Sequence, residues 1–145
     1  MTLVFVYGTL KRGHGNHRLL EASRFVGEAV SASACYAMHD CSFPILVDEP
    51  LGGRVMGELY AVDRRTLRSL DMLEGHPQMY CRRRRKFVTA AGCTYEAWVY
   101  LMPPDALARS FSRTPRRTSP VLHWVGRPSR DLVGPYELVT GCKMS

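Results

Sequence analysis

The chain lacks several features that would place it in a specialised class of protein. Its 145 residues contain no apolar run approaching the roughly 20 residues that a membrane-spanning helix needs. The five cysteines are odd in number and include no C-x-x-C pair, which argues against a disulfide framework. No charged leader followed by an apolar segment opens the chain, so we expect no signal peptide. These absences predict a cytoplasmic protein with reduced thiols and no membrane contact.

Acidic residues are also in deficit. The chain has 20 lysines and arginines against 13 aspartates and glutamates, which gives a formal net charge of +7. Such an excess favours polyanions in general but does not define a fold or a reaction. The basic residues are densest at 82–86, and others are scattered after residue 102. With 46% hydrophobic residues, the chain can form one domain with a buried core that needs no disulfide or metal.

The first segment is apolar and ends abruptly. Residues 3–7 form an unbroken apolar run, and Gly8 then begins a polar stretch. A run of this length between turn residues is typical of a strand buried on both faces. Its end would bring backbone N–H groups into the interior, where they could bind an anion. An ordinary turn that holds no ligand gives the same pattern.

Strands dominate the pattern that follows. Asn16 is expected to cap a short helix through Leu20, because asparagine is a strong N-cap residue. Residues 80–88 and 94–101 are expected to pair as a hairpin around a turn that contains Gly92. The remaining segments with strand character are 25–36, 43–47 and 54–62.

The C-terminal part differs in composition from the rest. We assign residues 1–102 to a core and residues 103–145 to a basic segment of the same domain. This segment mixes proline, serine and arginine with apolar fragments such as 121–125. It could be partly disordered, or it could pack over the mouth of a cavity.

The best-defined helix is marked by its ends. Asp63 is a favourable N-cap and Gly75 a favourable C-terminal stop. On this helix Glu74 falls in line with Leu67 on the apolar side, which Leu70 and Leu73 also form, whereas Asp71 lies at the edge of that side. The periodicity therefore turns Glu74, more than Asp71, towards the interior.

Burial of Glu74 would change its acid-base chemistry. Desolvation and the negative end of the helix would both raise the pKa of its carboxyl. A carboxyl with a pKa near neutrality can both accept and donate a proton. In the alternative, a frayed helix end would leave Glu74 in solvent or paired with an arginine.

Two blocks of the sequence resemble the γ-glutamylamine cyclotransferases, within the wider γ-glutamyl cyclotransferase-like family. The first block is residues 3–13 with Asn16-His17-Arg18. The second block is residues 57–63 followed by Leu67, Leu70, Asp71 and Glu74. The resemblance is close at both blocks, loose between residues 29 and 53, and faint beyond residue 101.

The resemblance implies an α+β fold, a small mixed β-barrel with flanking short helices around a cavity for a γ-glutamyl group. It implies that Tyr7, Gly8, Thr9 and Leu10 form the substrate-binding loop and that Glu74 is the catalytic residue. Gly8 would let the backbone approach the ligand without a Cβ.

The implied reaction needs no cofactor or metal. The substrate's α-amine would attack its own γ-carbonyl, which releases 5-oxoproline and a free amine. In the amine-specific branch the substrate is typically γ-glutamyl-ε-lysine, a breakdown product of transglutaminase crosslinks. γ-Glutamyl amino acids and glutathione are alternative substrates.

Several residues near these blocks have two interpretations. Tyr80 could orient the substrate, because the family often has a tyrosine a few residues after its acid, or it could belong to the edge of the core. His14, His17 and His76 show no i, i+4 ligand pair and are expected to be solvated. Cys81 follows Tyr80 and is expected to be structural.

Other functions remain possible. The chain could be a nucleic-acid-binding module that uses residues 82–86 and the basic C-terminal segment. Against this, alternate side chains of a strand point to opposite faces, so the five cations cannot all line one surface. A catalytically silent relative would require the loss of Glu74. We expect a monomer whose partner is a small γ-glutamyl molecule and whose binding to nucleic acid is at most weak and nonspecific.

Overall fold

The computed structural model describes residues 1–40, 43–111, 116–117 and 120–124. The helices are α1 (Arg64–Glu74) and α2 (Pro104–Phe111), with a 3-10 turn at His17–Leu20. The strands are β1 (Thr2–Val6), β2 (Arg24–Ser31), β3 (Tyr36–Asp40), β4 (Pro44–Asp48), β5 (Arg54–Val62), β6 (Cys81–Thr89), β7 (Thr94–Leu101), β8 (Arg116–Arg117) and β9 (Val121–Leu122).

Five strands close into a barrel. They follow the order β1, β7, β6, β2 and β5, and β5 then pairs with β1 to complete the ring. The β1–β7 pair is parallel, whereas β1–β5 and β6–β7 are antiparallel. β9 joins β5 in parallel, and β3, β4 and β8 form a separate three-stranded sheet. The predicted fold class, α+β with a small mixed β-barrel and flanking short helices, is confirmed.

Two apolar clusters hold this arrangement together. Inside the barrel the rings of Phe5 and Phe87 stack with centroids 3.9 Å apart. Outside it, Leu70 of α1 packs against Val4, Val6 and other residues of the strands. Burial of a side chain such as Leu70 stabilises the fold by roughly 1.5–3 kcal/mol. These contacts fix the end of α1 beside the end of β1.

Helix α1 has the predicted ends. The Asp63 carboxylate accepts a hydrogen bond from the Thr66 amide at 2.7 Å, and Gly75 ends the helix with a φ of +63°. Leu70 is fully buried, but Leu73 is 43% exposed. The expectation that Leu73 belongs to the apolar side is therefore wrong, because the last turn of α1 borders a cavity instead of the core.

Two local predictions need correction, and one helix was missed. The Asn16 side chain does not cap a helix, because its amide donates to the Thr9 hydroxyl at 2.8 Å. The strand predicted over 25–36 ends at Ser31, and a separate strand, β3, begins at Tyr36. The turn between them contains neither glycine nor proline, so no signal in the sequence marked it. Helix α2 was not predicted either.

Among the described residues, no helix is long and apolar enough to cross a membrane.

Candidate active site

A cavity of about 490 Å³ lies where β1, β4 and the end of α1 meet. All six predicted site residues line it, namely Tyr7, Gly8, Thr9, Leu10, Glu74 and Tyr80. The other lining residues are mostly apolar: Phe5, Val6, Asn16, Phe43, Pro44, Met72, Leu73, Gly75, Met79, Tyr100 and Met102. The barrel therefore brings together the two blocks of sequence, the first of which ends at Arg18 and the second of which begins at Gly57.

Glu74 is half-buried in this cavity. Burial disfavours the charged carboxylate and raises the pKa of Glu74 to about 7. Each ion pair within the described residues uses a carboxylate other than Glu74. At neutral pH, Glu74 is thus divided between its protonated and ionised forms.

Asp71, on the same helix, has a pKa that is shifted in the opposite direction from that of Glu74. Its carboxylate accepts hydrogen bonds from Arg82 Nε at 2.8 Å and from the Tyr100 hydroxyl at 2.7 Å. Desolvation alone would raise the pKa of Asp71, but these bonds and the Arg82 charge outweigh it and lower the pKa. Asp71 therefore remains ionised and holds Arg82, whereas Glu74 can exchange a proton.

In the loop after β1 the carbonyls accept hydrogen bonds within the chain, whereas the amides of three residues stay available as donors. The Gly8 carbonyl accepts from the Lys11 amide at 3.0 Å, and the Thr9 carbonyl accepts from the Asn16 amide at 3.0 Å. Within the described part of the chain, the amides of Gly8, Thr9 and Leu10 donate to no acceptor. Three such donors beside a cavity form a place for an anion or a developing oxyanion.

The structure gives a second reason for glycine at position 8, in addition to the expected one. A Cβ at this position would lie 2.6 Å from Cγ of Pro44, well inside van der Waals contact. The absence of a Cβ therefore permits a close approach between the loop and Pro44, as well as an approach towards the cavity. It allows β4 to pack against the loop.

The two tyrosine hydroxyls make structural contacts. The Tyr7 hydroxyl donates to the Tyr100 carbonyl at 2.6 Å, and the Tyr80 hydroxyl donates to the Pro44 carbonyl at 3.0 Å. Burial, followed by the nearby Tyr80 and Glu74, raises the pKa of Tyr7. Both rings form part of the cavity wall. Tyr80 therefore has a structural contact, and its role in orienting the substrate remains a prediction.

The three histidines are not solvated as expected. His17 Nδ1 contacts the Leu10 carbonyl at 2.9 Å, and His76 Nδ1 accepts from the Arg82 amide at 3.2 Å. The His14 ring lies 5.0 Å from the Trp124 ring, measured between centroids. Each is half-buried and helps to hold a loop.

Sequence reasoning missed two buried charged residues behind the loop. Glu58 of β5 accepts from the Arg12 amide at 2.9 Å and from the Tyr60 hydroxyl at 3.0 Å. The Lys11 ammonium donates to the Trp124 carbonyl, and burial lowers the pKa of Lys11 to about 8. A glutamate in the middle of the apolar strand 55–62 was the available signal for such a cluster.

The arginine-rich strand β6 divides its cations between two faces, as predicted. The guanidinium groups of Arg82 and Arg84 lie over the Trp98 ring, 4.3 Å and 4.9 Å from its centroid. Arg85 instead pairs with Asp48 at 3.1 Å. Part of the basic run is therefore occupied by contacts within the chain.

Within the described ranges, no group of three or more histidine, cysteine or acidic side chains could hold a metal ion. Cys35, Cys81 and Cys93 are free thiols there. Two further cysteines, Cys41 and Cys142, and the predicted apolar residue Val125 lie outside the described residues.

A closed mixed barrel whose cavity combines amide donors with a protonatable carboxyl has the groups that an acyl-transfer site needs. The chain belongs to the family described as gamma-glutamyl cyclotransferase, AIG2-like, whose model matches residues 4–120. It is accordingly an enzyme of the gamma-glutamyl cyclotransferase family.

Individual relatives agree with this assignment. The human gamma-glutamylaminecyclotransferase is 43% identical over 57% of this chain and 59% of its own length. A Methanocaldococcus jannaschii protein, provisionally named a gamma-glutamylcyclotransferase, is 38% identical over 71% of this chain and 86% of its own. The crystal structure of a mouse AIG2-like protein superposes with a TM-score of 0.67 and 28% identity, over 90% of this chain and 99% of the other.

Proposed function

We propose that this enzyme is a γ-glutamylamine cyclotransferase. It would convert γ-glutamyl amines, such as γ-glutamyl-ε-lysine from transglutaminase crosslinks, into 5-oxoproline and a free amine. The observation that carries the proposal is the Glu74 carboxyl, whose pKa is raised to about 7 in a cavity shared with the free loop amides. Base and oxyanion donors are the two requirements of this reaction.

Glu74 would transfer the protons. The α-ammonium of the substrate must first lose a proton, because only the neutral amine is a nucleophile. The nitrogen then attacks the γ-carbonyl carbon and forms the C–N bond of the lactam. In the next step the C–N bond to the leaving amine breaks. Two protons leave the attacking nitrogen in total and two arrive on the departing nitrogen. A single carboxyl with a pKa near neutrality can serve in both directions.

The loop amides would hold negative charge. The N–H groups of Gly8, Thr9 and Leu10 could bind the substrate's α-carboxylate, or they could stabilise the oxyanion that forms on the γ-carbonyl oxygen. Fixed donors in a cavity with apolar walls act more strongly than the same groups in water. Ring closure is intramolecular, so proximity already lowers its barrier.

The mostly apolar lining of the cavity supports an amine leaving group with an apolar stem. The lysine of γ-glutamyl-ε-lysine has a four-methylene stem, which lining residues such as Phe43, Met79 and Met102 could contact. The name of the 43% identical human relative points to the same substrate class.

The central test is the variant Glu74→Gln, assayed for 5-oxoproline released from γ-glutamyl-ε-lysine. General acid-base catalysis typically contributes about 10² to 10⁴ in rate, so turnover should fall by a factor in this range while the protein stays folded. Glu21→Gln is a matched control, because Glu21 is an exposed acid outside the cavity. Turnover by Glu74→Gln at the rate of this control would contradict the proposal.

A substrate panel separates the amine branch from its alternatives. γ-Glutamyl-ε-lysine, a γ-glutamyl amino acid and glutathione would be compared by kcat/KM for 5-oxoproline release. We expect the amine to be preferred. Preference for glutathione would refute the amine assignment, and no release from any of the three would refute cyclotransferase activity on these compounds.

A further inference from the structure

A short segment near the end of the described chain packs behind the candidate substrate-binding loop. We call residues 120–124 the clasp segment. Its strand β9 runs parallel to β5, and the Pro120 carbonyl accepts from the Arg54 amide at 3.0 Å. Leu122 is fully buried in the core inside the barrel. The segment is thus anchored to the barrel at its start.

The far end of the clasp segment meets the loop itself. Trp124 is 8% exposed, and its ring lies 4.0 Å from where a Cβ on Gly8 would be. The Trp124 carbonyl accepts a hydrogen bond from the ammonium of Lys11, a residue only 5% exposed. Lys11 directly follows Leu10, the last residue of the loop.

Lys11 belongs to the support of the cavity and does not line it. At the next residue, the Arg12 amide donates a hydrogen bond to the Glu58 carboxylate, which attaches the chain to β5. Between these anchors and β1 lie the amides of Gly8, Thr9 and Leu10, which donate to no acceptor in the described part of the chain. Their directions depend on the hydrogen bonds that the Gly8 and Thr9 carbonyls accept, and on how the chain is held just beyond the loop at Lys11 and Arg12.

We propose that Lys11 is a positioning residue of the γ-glutamyl site, which fastens the clasp segment to the loop and so fixes the amide donors. The proposal rests on the proposed function, since it assumes that the loop binds the γ-glutamyl group. An ammonium-to-carbonyl bond in a buried place is stronger than a neutral one, because the donor is charged. Without this bond, part of the binding free energy of the substrate would be used to order the loop.

The kinetic test is the variant Lys11→Met, which keeps the length of the side chain and removes its donor. We expect KM for γ-glutamyl-ε-lysine to rise about tenfold, with a smaller change in kcat, because Glu74 is untouched. Lys11→Arg restores a charged donor and should recover most of the affinity. Arg18→Met is the control, since Arg18 is an exposed cation near the same loop, and it should leave KM unchanged.

A second measurement does not depend on activity. The chain has two tryptophans, so Trp98→Phe leaves Trp124 as the only fluorophore of this kind. In that background Lys11→Met should make Trp124 fluorescence more accessible to acrylamide, whereas Lys11→Arg and Arg18→Met should not. This readout reports the clasp segment directly, even if a chosen substrate is not turned over.

The outcomes separate the two proposals. A raised KM together with greater quenching, both reversed by Lys11→Arg, supports the positioning role. An unchanged KM in a Lys11→Met variant with measurable turnover overturns it, and so does unchanged quenching. If the parent enzyme releases no 5-oxoproline while quenching responds as expected, the proposed function fails and Lys11 remains only a structural anchor, which also overturns the positioning role. If Lys11→Met does not fold, Lys11→Gln, whose side chain is shorter and uncharged, should raise KM in its place, and an unchanged KM there overturns the proposal.

Discussion

The cavity and the arginine-rich face of β6 each receive one carboxylate from helix α1, and the two carboxylates have opposite pKa shifts. Asp71 meets Arg82 and Tyr100, and its pKa is lowered. Glu74, three residues later, enters a cavity whose described lining includes no lysine or arginine, and its pKa rises to about 7. In a chain with a net charge of +7, none of the cations in the described ranges pairs with Glu74.

Two acids three residues apart on one helix thus have different roles, one in holding the structure and one, in the proposed function, in proton transfer. Asp71 uses its charge to hold β6 and β7 to the helix through hydrogen bonds. Glu74 forms no such bond within the described residues and remains able to change its protonation state. Pairs of carboxyls whose surroundings move their pKa values apart are a recurring basis for acid and base assignments.

The largest expected effect is on catalysis, in the variant Glu74→Asp. Aspartate keeps the acid but is one methylene shorter, so the carboxyl is withdrawn from the reacting atoms. Misplacement of about 1 Å can cost about 10² in rate, and we expect kcat/KM for 5-oxoproline release to fall by about that factor. An activity equal to that of the parent would mean that the position of this carboxyl is not critical.

The next effect is on stability, in the variant Asp71→Asn. The Arg82 and Asp71 side chains are only 20% and 21% exposed, so removal of the charge leaves a partly buried guanidinium without its partner. We expect a loss of about 2 kcal/mol in the free energy of unfolding, measured with urea. The control is Glu96→Gln, whose pair with Arg84 is 53% to 57% exposed and should contribute less than about 1 kcal/mol. Equal losses would contradict the distinction.

The third prediction concerns the pH dependence of stability. The pKa of Glu74 is about 7 when folded and has an ordinary value of 4.5, so the unfolded chain releases this proton first as the pH rises. Glu74 therefore destabilises the folded state progressively between these two values. Because the site is half-buried, Glu74→Gln should stabilise the protein by about 1 to 2 kcal/mol at pH 8, and by little near pH 4.

Asp71 should give the opposite slope, which sharpens the same measurement. Its pKa is lowered by folding, so its contribution is complete above the ordinary value of 3.8 and is lost as the pH falls through the lowered pKa. The deficit of Asp71→Asn should therefore shrink in acid. Parallel curves for the two variants would show that the carboxylates do not differ as described.

The smallest expected effect is on nucleic-acid binding. Arg82, Arg84 and Arg85 are already paired with acids of this chain, so the strand offers few free charges. Any affinity for nucleic acid should be weak and should vanish with modest salt, as nonspecific phosphate contacts do. Fluorescence anisotropy with a labelled oligonucleotide at two salt concentrations would measure it. Tight binding that survives salt would restore this alternative.

Local signals predicted the elements that have clear ends. Asp63 and Gly75 mark α1 because a cap and a left-handed stop depend on neighbouring atoms alone. The β6–β7 hairpin was likewise predicted from the turn that contains Gly92. The break at Ser31, where no glycine or proline marks the turn, and the helix Pro104–Phe111 were missed. The structure of these two segments depends on contacts with strands that are distant in the sequence.

The sequence by itself determined the periodicity that turns Glu74 inward and the apolar strand that ends at Gly8. It also determined the alternation that divides the arginines of β6. Only the tertiary structure decided that Pro44 packs against Gly8, that Arg82 meets Asp71 and not Glu74, and that Lys11 reaches Trp124. The physical reason is range: periodicity and caps act within a few residues, whereas desolvation and ion pairing depend on which remote segments the closed barrel brings together.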